Sequence, residues 1–202
     1  MNEKERDRLL HIQTRSVGER IDQSAHYHHY EATPYWMLDE LFKAYTVNQA
    51  GAFVDFGCGK GRVLFYVHHR FQVPVVGIEM NVQLYREALL NEATYLQKKK
   101  KVSKPIRIEH EYAESYRVAD NDSCFFLFNP FSLPIFIKVI HRILQSVEAN
   151  NRTVDMILYY PAEEYIDYLE MKTPFTLFKE VKMPRLSEIN ARERFSIYRL
   201  VG

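Results

Sequence analysis

Cysteine is scarce in this 202-residue chain. Its two cysteines, Cys58 and Cys124, form no CxxC pair, which excludes a disulfide framework and reads as two reduced thiols. No apolar run approaches the roughly 20 residues needed to span a bilayer, and the start, MNEKERDRLL, is too charged for the core of a signal peptide. Together these absences predict a cytoplasmic protein with no membrane partner. Excess charge of either sign is missing too: 27 Lys and Arg against 26 Asp and Glu leave +1, so no global field draws the chain to nucleic acid. The local basic run Lys98-Lys99-Lys100-Lys101, with Lys104 beyond it, reads as a solvated helix end favoured by the helix dipole. Glycine is sparse, yet three of the seven glycines fall between positions 57 and 61.

What remains suits one folded domain. The content of 47% hydrophobic and 26% charged residues is globular, and the length can bury a single substantial core. From Gly51 onward, strand-length apolar runs at 52–56, 75–79, 106–108, 124–128 and 154–159 alternate with helical segments at 62–70, 82–100, 134–147 and 162–169. The runs are continuous rather than alternating, as in parallel strands covered on both faces. In 134–147, Phe136, Val139, Ile140, Ile143 and Val147 share a face, and Ser132 and Pro134 favour the helix start. Segments 175–183 and 194–200 read as two strands joined by a polar loop containing Pro184, an antiparallel hairpin at one end of the sheet. The expected fold is therefore α/β, a seven-stranded, mostly parallel, Rossmann-like sheet with helices on both faces and a C-terminal antiparallel hairpin. Residues 1–32 read as an N-terminal helical or lid segment ahead of a domain over 33–202. That domain opens with a helix capped by Thr33, whose Leu38, Leu41, Phe42 and Tyr45 share a face.

The glycine cluster sits where a strand passes into a helix, in Val54-Asp55-Phe56-Gly57-Cys58-Gly59-Lys60-Gly61-Arg62. Glycines there permit positive φ and let a ligand approach the backbone, while a helix N-terminus offers free amides to a carboxylate or phosphate. The spacing is GxGxG with an acid two residues ahead, whereas the dinucleotide fingerprint is GxGxxG. A second acid, Glu79, closes the next strand, where a carboxylate can accept hydrogen bonds from both hydroxyls of a ribose.

On these residues the chain resembles the class I S-adenosylmethionine-dependent methyltransferases. VDFGCGKGR matches their first motif, VVGIEM their second, and five βα units with a terminal hairpin match their layout. The resemblance implies S-adenosyl-L-methionine as cofactor, with its methionine part held by Asp55, Gly57, Gly59 and Gly61 and its ribose by Glu79. After the third strand the family presents an acid or amide to the adenine, often followed by alanine. Here Glu111-Tyr112-Ala113-Glu114 stands there, so Tyr112 and Ala113 are the candidates, with recognition open among backbone atoms, Tyr112 and a neighbouring glutamate.

The fourth strand runs into Asn129-Pro130-Phe131-Ser132, similar to the Asn-Pro-Pro-aromatic motif of methyltransferases acting on amino groups, with one proline where they have two. Asn129 is thus a candidate for both the cofactor and the reacting end, with a plain strand-ending turn as the alternative. A sulfonium methyl is already activated, so alignment and exclusion of water matter more than a strong base. Tyr30, Tyr35, His28 and His29 offer a polar lid, and Tyr35 joins Asn129 as a catalytic candidate. The layout of Tyr30-Glu31-Ala32-Thr33-Pro34-Tyr35 ahead of the glycine strand is also similar to that of the non-SET histone lysine methyltransferases. His26, His28 and His29 have no companion ligands at metal spacing, so no metal is expected. The expected activity is methyl transfer to nitrogen or oxygen of an unidentified acceptor, whether small molecule, protein or nucleic acid. The alternatives are a NAD-dependent oxidoreductase on a variant turn and a cofactor-binding module without turnover.

Overall fold

A computed structural model describes residues 2–15, 30–98 and 104–202. His26, His28, His29 and Lys99 to Lys101 lie outside them, as does the 16–29 part of the 1–32 segment. Among the described residues the elements run α1 (Glu3–Leu10), α2 (Tyr35–Ala44), β1 (Ala52–Phe56), α3 (Arg62–Phe71), β2 (Val75–Glu79), α4 (Val82–Gln97) and β3 (Ile106–His110). A short 3-10 turn (Ala113–Ser115) follows, then β4 (Asp122–Leu127), α5 (Leu133–Ala149), β5 (Val154–Tyr159), α6 (Glu163–Lys172), β6 (Thr176–Lys182), α7 (Leu186–Ile189) and β7 (Arg194–Leu200).

The strands form one sheet in the order β3-β2-β1-β4-β5-β7-β6. The first five are parallel, and β7 pairs antiparallel with both β5 and β6. Side chains alternate between two cores, as period-two geometry requires. Phe53, Cys124, Phe126 and Ile157 pack on the face shared with α2 and α3. Val54, Phe56, Phe125, Leu127 and Leu158 pack on the opposite face with α5 and α6. The predicted stripe of α5 is buried in full, and the ring of Phe136 stacks on Tyr165 at 3.7 Å between centroids.

Details differ from the pattern in the sequence. Pro34, not Thr33, occupies the N-cap of α2, because Thr33 is buried and its carbonyl accepts from Arg62 at 3.3 Å. Ser132 caps α5 by position without a side-chain bond to its amides. The polar loop of the hairpin contains the short helix α7. The charged N-terminus forms α1 behind a capping box, in which Asn2 Oδ1 accepts from the Glu5 amide and Glu5 Oε2 accepts from the Asn2 amide, both at 2.9 Å.

Helix α1 is fixed to the start of α3 by a polar cluster around Arg62, itself only 5% exposed. Its guanidinium donates to Thr14 Oγ1 at 2.7 Å and to Glu3, and lies 4.0 Å from Asp7 Oδ1 and 4.7 Å from the centre of the Tyr35 ring. Asp7 in turn accepts from the Thr14 amide and hydroxyl, each at 2.8 Å. Removing one member strands buried charge. Arg62→Met should therefore lower unfolding free energy by roughly 3 kcal/mol, read as a lower urea midpoint at unchanged slope; an unmoved midpoint would show that the cluster does not tie α1 down.

Candidate functional site

The chain leaves β1 towards β2 on one side and β4 on the other, so the strand order reverses between β1 and β4. Open parallel sheets bind ligands outside the carboxyl ends of their strands at such a point. The glycine turn stands there. Gly57, Gly59 and Gly61 have φ of 78°, 54° and 85°, the left-handed region where a Cβ is penalised. Close approach adds to that demand: a Cβ on Gly57 would come within 2.9 Å of Pro130, and one on Gly59 within 2.1 Å of the Tyr30 ring.

Hydrogen bonds weld the turn to β2. The Gly57 and Cys58 amides donate to the Ile78 carbonyl at 2.9 and 3.1 Å, and the Gly61 amide to the Cys58 carbonyl at 2.8 Å. Glu79, 6% exposed, accepts from the Gly59 amide on Oε2 at 2.9 Å and from the Asn81 amide on Oε1 at 2.7 Å. Burial raises its carboxyl above the ordinary value, against the pull of those amides. Asp55 is buried more deeply, and no hydrogen bond from the described residues reaches its side chain. Burial first, then the neighbouring Glu79, pushes it well up. The same surroundings push up the Cys58 thiol, which makes it a packed side chain rather than a nucleophile.

A narrow cleft opens over Asp55. Tyr30, Glu31, Ala32 and Thr33 form one wall, and Gly57, Cys58, Arg62, Phe126 and Phe128 belong to the rest of the lining. The Tyr30 hydroxyl is anchored, donating to the Thr14 carbonyl at 2.7 Å, and the Lys60 ammonium lies 5.7 Å from its ring centre. Residues 13–15 follow the outside of the turn. Asn91 accepts from the Gln13 amide at 2.8 Å and donates to the carbonyls of Gln13 and Lys60 at 3.1 and 2.9 Å.

On the other side, Leu127 pairs with Leu158. Just past that pairing the Phe128 and Tyr159 rings lie 4.4 Å apart, and Asn129 and Tyr160 follow the ends of β4 and β5. Both Asn129 and Tyr160 have positive φ, 40° and 49°, which is unfavourable for residues with a Cβ and clusters at functional edges.

The structure thus gathers Asp55, Gly57, Gly59, Gly61 and Glu79 into one turn, with Asn129 next to it through Pro130. Tyr112 and Ala113 follow β3, beside the end of β2, where the Glu111 amide donates to the Glu79 carbonyl at 3.3 Å. Tyr112 is 54% exposed, and Ala113 is buried at the start of the 3-10 turn. Tyr35 is set apart. It does not line the cleft; its buried hydroxyl donates to Asp7 Oδ1 at 2.7 Å, within the cluster that holds α1. The wall residues Glu31, Phe126 and Phe128 were not singled out by the sequence. Phe126 and Phe128 read only as strand, and Glu31 only as part of a general layout.

No family model matches the chain, and no curated protein matches it either. Solved structures do. An RNA methyltransferase from Salinibacter ruber, in complex with S-adenosyl-L-homocysteine, aligns over 84% of this chain and 92% of its own at 14% identity and a TM-score of 0.56. A SAM-dependent methyltransferase from Thiobacillus denitrificans, also with S-adenosyl-L-homocysteine, aligns over 88% and 95% at 13% identity and 0.55. An rRNA methylase from Streptococcus thermophilus aligns over 86% and 100% at 12% identity and 0.58. The chain therefore has the Rossmann-like fold of class I methyltransferases.

The Asp55 carboxyl has a stability consequence. Its folded-state pKa lies above that of the unfolded chain, so the folded form holds the extra proton and stability falls as pH rises from about 4 towards the raised value. Asp55→Asn should be more stable than wild type at neutral pH, with a shallower pH dependence. Melting curves across that range check it, and identical pH slopes for the two proteins would refute it.

Proposed function

We propose that this protein transfers a methyl group from S-adenosyl-L-methionine to a nitrogen or oxygen of an acceptor. The observation that carries the reading is the pair of buried acids, Asp55 and Glu79, beside a three-glycine, positive-φ turn at the point where the sheet order reverses. The residues suit that cofactor. Asp55 is a buried carboxylate without a hydrogen-bonding partner among the described residues, the group that a ligand ammonium would satisfy. Glu79 spends one acceptor site of each oxygen on a backbone amide, and a carboxylate has about four such sites, so it retains capacity for ribose hydroxyls. Tyr112 and Ala113 would lie towards the adenine.

When bound, the cofactor supplies a methyl group activated by a positively charged sulfur. The protein's own part is positional. Asn129, beside the glycine turn through Pro130, would accept a hydrogen bond from an amine or hydroxyl and so aim its lone pair. Phe126 and Phe128 line the cleft with apolar surface that keeps water from competing. The reading does not use Tyr35. The acceptors named for the structural neighbours are their own, and this chain's acceptor belongs to no class fixed by the fold. Among the described residues no helix is long and apolar enough to cross a membrane. Two buried, unpaired thiols favour a cytoplasmic setting.

Titration with S-adenosyl-L-homocysteine and NAD in parallel tests the donor. Saturable binding of the first and not the second is expected. Glu79→Ala should weaken it about ten- to a hundredfold through lost charge-assisted hydrogen bonds. Binding without S-adenosyl-L-homocysteine production from S-adenosyl-L-methionine, across protein, RNA and small-molecule acceptors, would mark a non-catalytic module. With an acceptor in hand, Asn129→Ala should lower turnover by about a hundredfold, more than it lowers donor affinity.

A further inference from the structure

Beyond the donor cleft, the acceptor edge carries a cation that the reading above leaves without a task. Arg192 stands in the β6–β7 connection and reaches back over the end of β5. Its guanidinium lies 4.2 Å from the centre of the Tyr160 ring. Nε donates to the Pro161 carbonyl at 3.1 Å and Nη2 to the Tyr160 carbonyl at 3.4 Å. The surrounding loop fixes this pose. The Arg192 amide donates to Asn190 Oδ1 at 3.1 Å, and Asn190 Nδ2 donates to the Tyr160 hydroxyl at 2.9 Å. Neighbouring acids are engaged elsewhere: Glu193 accepts from the Tyr159 hydroxyl at 2.9 Å, and Glu180 pairs with Arg194 at 2.8 Å. Arg192 belongs to none of the ion pairs among the described residues.

We propose that Arg192 binds an oxyanion of the acceptor, a phosphate or carboxylate carried close to the atom that receives the methyl group. This rests on the reading of Asn129 as the reaction edge, since Asn129 follows the carboxyl end of β4 and Tyr160 follows that of its parallel neighbour β5. A guanidinium has five N–H groups, and the two carbonyls use one on Nε and one on Nη2. Both hydrogens of Nη1 and one of Nη2 remain, a planar fork that matches two oxygens of a phosphate or carboxylate. The Tyr160 ring beneath and the fixed loop hold the fork in place before a ligand arrives, so little side-chain entropy is lost on binding. Tyr160 adopts its unfavourable φ of 49° at the very position that supports the guanidinium. Three acids of the hairpin region, Glu180, Glu188 and Glu193, form no ion pair with it among the described residues.

The test is an NMR titration of the 15N-labelled full chain, following the arginine Nε–H resonance that disappears in Arg192→Lys. Inorganic phosphate, acetate and a dinucleoside monophosphate are added separately at ionic strength held constant with sodium chloride. The expected result is saturable movement of that resonance, with affinity about ten- to a hundredfold weaker in Arg192→Gln, read from the Tyr160 and Asn190 amides, and an intermediate loss in Arg192→Lys. Response to phosphate identifies a terminal phosphate, to the dinucleoside a phosphodiester, and to acetate a carboxylate; any of the three supports the site. No movement with all three overturns it. The same samples are titrated with S-adenosyl-L-homocysteine, reported by the Gly57 to Gly61 amides. Loss of that response with the anion response intact overturns the donor reading alone, and the reverse pattern overturns the anion site alone.

Discussion

Glu79 joins two backbone amides that the sheet itself cannot satisfy. The Gly59 and Asn81 amides point into the space between the glycine turn and the start of α4, and its carboxylate closes both. Burial works against the charged form, while the amides favour it, and the raised carboxyl shows that burial wins. The same group that sets the turn's shape is the one proposed to read the ribose. On that reading the turn is built around a carboxylate with spare acceptor capacity, its geometry set by the protein's own amides.

The N-terminal segment extends that construction to the other wall. Arg62 opens α3 directly after Gly61, and Thr14 bonds both its guanidinium and, through the Thr14 carbonyl, the Tyr30 hydroxyl. Tyr30 lies on Gly59. A chain of contacts thus runs from α1 through Asp7, Thr14 and Tyr30 to the glycine whose amide Glu79 holds. The absence of a Cβ at Gly59 serves this packing as well as the positive φ, so the glycine is required twice over.

Much of this was legible in the sequence. Apolar runs at strand length marked the five parallel strands, most clearly β1, β2, β4 and β5, which are buried along their whole length, and the antiparallel end of the sheet followed from two further strands without an intervening long helix. The three glycines and two acids were visible because backbone geometry at a strand-to-helix turn admits few residue types. Other features were hidden. Tyr35 read as a lid residue because an aromatic hydroxyl ahead of the first strand has the right chemistry, but its partner, Asp7, is 28 positions away and only the fold brings them together. Thr33 read as a helix cap on local preference, and its burial against Arg62 overrode that preference. Arg192 gave no signal at all, because one arginine in a charged loop has no pattern.

The division between what was legible and what was not follows the chemistry. The proposed donor site is built from backbone amides and strand-end acids, whose positions are dictated by the topology. The proposed acceptor edge lies at the ends of β4 and β5 and the hairpin connection, segments with no shared periodicity. Yet the edge is not featureless. Asn129 and Tyr160, two residues with a Cβ, hold positive φ just past the ends of the adjacent strands β4 and β5. Such backbone costs on the order of 1 kcal/mol or more each, and persists only where surrounding contacts over-determine it. Tyr160 has such contacts, from Asn190 and Arg192, and Asn129 is flanked by Pro130 packed against Gly57. The glycine turn therefore constrains one strained residue and the hairpin loop the other. The glycine turn and the ends of β4 and β5 are thereby tied together by contacts that no single segment of the sequence contains.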